Sequence, residues 1–125
     1  MSFDTHLVEG KPVLIQTLHA GYTGAESARL MARAGKALDK ADRQLYYVLD
    51  LRAADLSLSD IVLNTRLVPD GTRPVFFHPN VLETLIVTHD TTFRVSAMGL
   101  QHPRFGNAKI KVFDQVDEAL AYCGM

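Results

Sequence analysis

The chain has 125 residues, 47% of them hydrophobic, and its 13 basic and 14 acidic side chains leave a formal net charge of -1. This size predicts one domain with a single core. The balanced charge excludes the strongly basic composition of a nucleic-acid binder, and every apolar run is far shorter than the roughly 20 residues of a membrane-spanning helix.

The chain begins with two extended stretches, residues 3–8 and 13–19, which predict β-strands. Gly10 and Pro12 mark a short turn between them. Because so short a connection joins antiparallel neighbours, we expect a β-hairpin here.

A helix is predicted from Gly24 to Asp39. Thr23, followed three residues later by Glu26, is typical of a capping box at a helix start. Small or apolar residues then recur at helical spacing and predict the buried face: Ala28, Met31, Gly35 and Leu38.

The next strand, Leu45–Leu51, is almost continuously apolar, which is typical of a central strand covered on both faces. Ser57, with Asp60 three residues later, indicates a second capping box and a shorter helix. From residue 69 to residue 80, several prolines and a glycine predict an irregular segment.

The carboxyl-terminal part continues the alternation of strand and helix. We expect a strand at Val81–Thr88, a helix after Asp90 and a short strand at 109–113. Asp114 is predicted to cap a final helix with three buried residues, Val116, Leu120 and Cys123.

The predicted order of elements is therefore β-β-α-β-α-β-α-β-α. This order predicts an α/β fold with a single mixed sheet, in which an N-terminal antiparallel hairpin is followed by parallel strands with right-handed crossover helices. No internal repeat, low-complexity tract or linker divides the sequence, so we expect residues 1–125 to form one domain.

This element order resembles the STAS-like fold of anti-sigma-factor antagonists, and within it the SpoIIAA-like group, which is distantly similar to the lipid-binding Sec14 (CRAL-TRIO) fold. Four stretches carry the resemblance: the helix TGAESARLMARAGKAL, the strand YYVLDL, the strand ETLIVT and the ending KIKVFDQVDEALAYC. The ending is the most telling, because a short strand, an aromatic residue, an acidic cap and an E-A-L helix commonly close this group.

The resemblance implies a non-enzymatic regulatory module with a phosphorylation switch. Antagonists of this family usually carry a phosphorylatable serine in a D-S-S-G-like turn after the third strand. The corresponding stretch, 50–60, lacks the glycine and the paired serines, but Ser57 and Ser59 lie near the equivalent helix start. A phosphate there would meet free amides and the positive end of the helix dipole. The alternative is simple capping, because Asp55 and Asp60 would repel a phosphate.

No motif for a metal ion, cofactor or catalytic set is present, so we expect no cofactor. None of the five histidines has a partner at metal-ligand spacing; they are His6, His19, His78, His89 and His102. His89 follows a central strand, and it could serve as a base beside Ser96 and Asp50, or it is an ordinary loop histidine. The segment 21–24, GYTG, is either an anion-binding helix start or a turn.

The segment 73–79 contains the most suggestive surface residues, Phe76, Phe77 and His78, between two prolines. Either its two aromatic rings stay exposed and bind a partner or ligand, or they cover the core. On the helix after Asp90, two residues either pack on a neighbouring helix or contribute to a homodimer interface: Val95 and Met98.

The single cysteine, Cys123, can form no internal disulfide and is expected to be a small apolar residue. The first ten residues lack the basic and then apolar pattern of a signal peptide. Both features favour a cytoplasmic location.

Three functions remain open. The first is a non-enzymatic module of STAS/SpoIIAA-like type that binds a protein partner or itself, as a homodimer, through residues 69–80 and the helix near Ser57. The second is a carrier or sensor of a small apolar ligand or lipid, and the third is a small hydrolase that uses His89. No nucleic-acid partner is expected.

Overall fold

The computed structural model describes residues 2–8, 10–54, 79–89 and 110–124. The strands in these ranges are β1 (Phe3–Leu7), β2 (Val13–Leu18), β3 (Leu45–Asp50), β4 (Val81–Val87) and β5 (Ile110–Phe113). The helices are α1 (Ser27–Lys40), which follows a 3-10 turn at Gly24–Glu26, and α2 (Val116–Tyr122). The helices predicted after Ser57 and after Asp90 lie outside the described residues.

The strands form one mixed sheet in the order β1-β2-β3-β4-β5. β1 is antiparallel to β2, and the remaining neighbours are parallel. At the hairpin turn, Gly10 adopts a φ of 73°, which favours glycine, and the Val8 amide donates to the Val13 carbonyl at 2.9 Å. The predicted hairpin and the single mixed sheet are confirmed.

The two described helices cover opposite faces of this sheet. Side chains alternate along each strand, so Leu14 and Tyr47 face α1 while Val13 and Val48 face α2. The residues of α1 in the first core are Leu30, Met31, Ala34 and Leu38, and Ala119 of α2 is buried in the second. β3 is therefore the central strand covered on both faces, as its apolar sequence predicts.

The predicted start of α1 is wrong in its details. The Glu26 amide donates to the Thr23 carbonyl at 3.0 Å rather than to its hydroxyl, which makes a 3-10 turn, and α1 begins only at Ser27. The other half of the capping box does form, because the Thr23 amide donates to Glu26 Oε2 at 3.3 Å. The amide of Ser2 also donates to this carboxylate, at 3.0 Å, and lowers the pKa of Glu26.

Two further predictions about the helices are corrected. The sequence predicts Asp114 as the N-cap of α2, but the N-cap is the next residue, Gln115. On α1 the buried face includes Leu30 and Ala34, whereas Gly35 is only half-buried. Leu30 and Ala34 lie beside the predicted stripe on the surface of α1, and they also face the sheet.

Thr84 in β4 is fully buried, and its hydroxyl has no hydrogen-bond partner within the described part of the chain. Thr84→Val exchanges this hydroxyl for a methyl group of similar size. We expect the free energy of unfolding to rise by about 1 kcal/mol, because a buried polar group without a partner is unfavourable. Urea unfolding would measure it. Thr5→Val is the matched control with the opposite sign, because the Thr5 hydroxyl accepts a bond from Gln16 Nε2.

Candidate functional site

The carboxyl ends of β3, β4 and β5 meet at one edge of the sheet, where parallel α/β proteins often place ligand sites. β3 ends at Asp50, β4 is followed by His89, and β5 is followed by Asp114. The ladder continues beyond the strand ends, because the Thr88 amide donates to the Phe113 carbonyl at 3.0 Å. This edge therefore brings together several of the polar residues that the sequence singled out.

Asp50 is held by Arg52 in a bidentate ion pair. The Arg52 Nη2 and Nε atoms donate to Oδ2 and Oδ1 of Asp50, both at 3.0 Å, and the Arg52 amide donates to Oδ1 at 3.1 Å. The bond to Asp50 is the main reason that the pKa of Arg52 is raised. The remaining Nη1 atom donates to Gln115 Oε1 at 3.1 Å, so Arg52 links the end of β3 to the start of α2.

His89 is exposed, and its Nε2 atom lies 2.9 Å from the carbonyl oxygen of Asp114. A carbonyl only accepts, so this nitrogen carries the proton and donates. Asp50 is bonded to Arg52 through both carboxylate oxygens, and within the described residues no hydrogen bond joins it to His89, as the hypothetical catalytic set would require. The nucleophile of that set, Ser96, lies outside the described residues. In the ranges that the structure describes, no group of three His, Cys, Asp or Glu side chains could hold a metal ion.

Gly21 lies in a turn, and Gly24 begins the 3-10 turn that leads into α1. Gly21 has a φ of 91°, and the amide of Tyr22 donates to the carbonyl of His19 at 3.1 Å. The Tyr22 ring is buried edge-on against Phe3, with their centroids 6.2 Å apart. This arrangement agrees with the turn interpretation of GYTG.

Two side chains at the carboxyl end of α2, Tyr122 and Cys123, have raised pKa values. Burial raises the pKa of the Cys123 thiol to about 11, so it stays protonated at neutral pH and is a poor nucleophile. The Tyr122 hydroxyl donates to Glu83 Oε1 at 2.6 Å, and this bond raises the pKa of Tyr122 to about 12. Cys123 packs against the core beside α2, as expected for a small apolar residue.

The sequence-predicted switch and surface residues lie outside the described residues and stay predictions. They are Ser57, Ser59, Phe76, Phe77, His78, Val95 and Met98.

The residue pattern did not predict a buried polar network between the sheet and α1. The Tyr47 hydroxyl donates to Gln16 Oε1. Gln16 Nε2 in turn donates to the Thr5 hydroxyl at 3.1 Å and to the Leu30 carbonyl at 2.9 Å. Tyr47 and Gln16 are both fully buried, and burial raises the pKa of Tyr47. The network ties β1, β2, β3 and α1 together.

No protein-family model and no curated protein matches the sequence. The structure, however, is similar to that of an uncharacterized protein of the DUF3478 family with a SpoIIAA-like fold from Shewanella loihica PV-4. The TM-score is 0.64 at 13% sequence identity, over 97% of this chain and 91% of that one. The fold of this chain is SpoIIAA-like. The resemblance inferred from the order of strands and helices is confirmed for the fold.

At the opposite, amino-terminal edge of the parallel strands, the SpoIIAA-like domain has a surface cleft of about 500 Å³. It lies between the β1–β2 turn and the connection from α1 to β3. Its apolar lining residues are Leu7, Val8, Ala41 and Leu45, and its charged ones are Lys11, Lys40, Asp42 and Arg43. Three cations make this cleft unlike the enclosed apolar cavity that a carrier of an apolar ligand would need.

Within residues 2–8, 10–54, 79–89 and 110–124, no helix is long and apolar enough to cross a membrane.

Proposed function

We propose that this SpoIIAA-like domain works without catalysis, by binding a protein partner or a second copy of itself. One observation carries the proposal: the polar groups at the carboxyl edge of the sheet are engaged in structural hydrogen bonds. Arg52 occupies both oxygens of Asp50 and reaches Gln115, and His89 donates to the Asp114 carbonyl. These bonds fix a helix and a loop in place, which suits a rigid binding scaffold.

The proposed contact surface is the segment 69–80 with the helix that the sequence predicts near Ser57. Phe76 and Phe77 supply the adjacent aromatic rings that favour a protein interface. Phosphorylation of Ser57 or Ser59 would add about two negative charges beside this surface and so change its affinity for a partner. Val95 and Met98 are proposed to extend the surface in a homodimer.

Phe77→Asp tests the self-association form of this proposal. We expect the wild-type chain to show a mass above the 13.8 kDa of one copy in light scattering over a concentration series. The variant should return to the mass of one chain, because a buried carboxylate without a partner is strongly unfavourable in an interface.

Ala121→Asp is the matched control, because it places the same charge on the exposed side of α2. Its mass should equal that of the wild type. A wild-type chain that is monomeric at high concentration and unchanged by Phe77→Asp would contradict the self-association form.

A further inference from the structure

Four cations form a stripe along the exposed side of α1, spaced by i, i+4, i+7 and i+11: Arg29, Arg33, Lys36 and Lys40. At 100° and 1.5 Å per residue they share an arc of about 60° and span about 16 Å. Within the part of the chain that the structure describes, none of them has an ion-pair partner. The stripe is therefore a concentrated positive surface on a chain whose formal net charge is only -1.

The stripe leads directly into the cleft at the amino-terminal edge of the sheet, because Lys40 belongs to both. Lys11 and Arg43 add two more cations to the cleft. Leu7, which is 51% exposed, lies in its lining with the buried Leu45. One continuous surface thus offers a row of cations and, at its end, a recess that combines apolar side chains with three cations and Asp42.

Three exposed carboxylates lie at or just before α2. α2 exposes Asp117 and Glu118, and Asp114 is exposed just before it. Since α1 and α2 cover opposite faces of the sheet, these three carboxylates lie on the face away from the cation stripe, whereas Asp42 lies in the cleft. Such a separation orients an approaching charged partner.

We propose that the α1 stripe and the cleft bind an acidic segment of a protein partner, which places one apolar side chain in the cleft. This inference rests on the proposed protein-binding function and adds a second contact surface, separate from the segment 69–80, with the chemistry of its partner. Carboxylates repeated once per helical turn would match the cations. A leucine-like side chain at the end of the segment would cover Leu7.

The same features argue against other polyanions. The apolar face of α1 is already buried on the sheet, so α1 cannot insert it into a membrane as an interfacial helix does. A nucleic-acid backbone offers phosphates to the stripe but no aliphatic side chain to the recess. A peptide supplies both kinds of group.

The probe is a fluorescein-labelled helical peptide with glutamates at i, i+4, i+7 and i+11 and a leucine one turn further on. Fluorescence anisotropy at low salt should show saturable binding to the wild-type chain. Charge reversal by Arg33→Glu with Lys36→Glu should weaken this binding at least about tenfold. A scrambled peptide of the same composition, the control for charge alone, should bind at least about tenfold more weakly.

The cleft has its own test. Leu7→Ser should weaken binding of the leucine peptide, but it should leave unchanged the binding of a peptide with serine in place of leucine. Circular dichroism melts should show that the exposed substitutions leave the fold intact.

The inference is overturned if the scrambled peptide binds equally well, or if charge reversal has no effect. It is also overturned if phosphatidylserine vesicles or a single-stranded oligonucleotide bind more tightly than the peptide. It is overturned as well if the charge-reversed variant no longer self-associates as the wild-type chain does. If the peptide fails while Phe77→Asp changes the mass in solution, the proposed function stands and only this surface is wrong.

Discussion

Tyr47→Phe is expected to lower the free energy of unfolding by about 2 kcal/mol, although it removes a single oxygen atom. The Tyr47 hydroxyl is the donor to Gln16 Oε1, and both side chains are fully buried beneath α1. The variant leaves this amide oxygen without its donor in an apolar layer, where an unsatisfied acceptor costs about 1–3 kcal/mol. Urea unfolding with an unchanged m-value would measure the loss.

A double-mutant cycle with Gln16→Met separates the network from simple packing. Gln16→Met alone should also cost about 2 kcal/mol, because it removes the bond from the Tyr47 hydroxyl and leaves the Leu30 carbonyl without the Gln16 donor. In the double variant both partners are apolar, so we expect it to be less destabilised than the sum of the single variants by about 1–2 kcal/mol. Additive losses would show that the two side chains act through packing and not through their bond.

The sequence carries a signal for one half of this network, Gln16. Gln16 lies two residues from both Leu14 and Leu18, so a strand places all three on one face. A polar residue on an apolar face must be buried with a partner. Its partner Tyr47 is 31 residues away, and no local pattern could name it.

The sheet was predictable because its signals are local. The apolar run at Leu45–Leu51 and the short turn at Gly10 each required only neighbouring residues. The bond from Arg52 to Gln115 joins residues 63 apart and depends on the way the strands assemble. The positive surface could be predicted only in part. The spacing of its cations on α1 is visible in the sequence, but its junction with the cleft is not.

Arg52→Met is expected to lower the free energy of unfolding by about 2 kcal/mol at neutral pH. The Asp50 side chain is only 7% exposed, and the variant leaves its carboxylate without a counter-charge. Removing one partner of a fully buried pair costs about 3–5 kcal/mol. The effect here is smaller because the Arg52 side chain is 34% exposed, and solvent screens part of the interaction.

The matched variant Asp50→Asn keeps an oxygen acceptor for Arg52 and leaves the uncompensated charge on the more exposed partner. It should therefore cost less, about 1 kcal/mol. A loss for Asp50→Asn equal to or larger than that for Arg52→Met would contradict the role of Asp50 as the charge that Arg52 neutralises.

The bond from Arg52 Nη1 to Gln115 predicts where the damage appears first. This bond holds the start of α2 against the end of β3, so its loss should loosen α2 before it affects the central strands. In Arg52→Met, hydrogen exchange should accelerate more for the α2 amides than for those of β3. Arg52→Lys retains a charge near Asp50 but not the planar fork that reaches both partners. Compared with Arg52→Met, Arg52→Lys should therefore restore part of the free energy of unfolding, while the α2 amides still exchange rapidly. This result is expected because the guanidinium neutralises Asp50 and, through a different nitrogen, holds α2 in place.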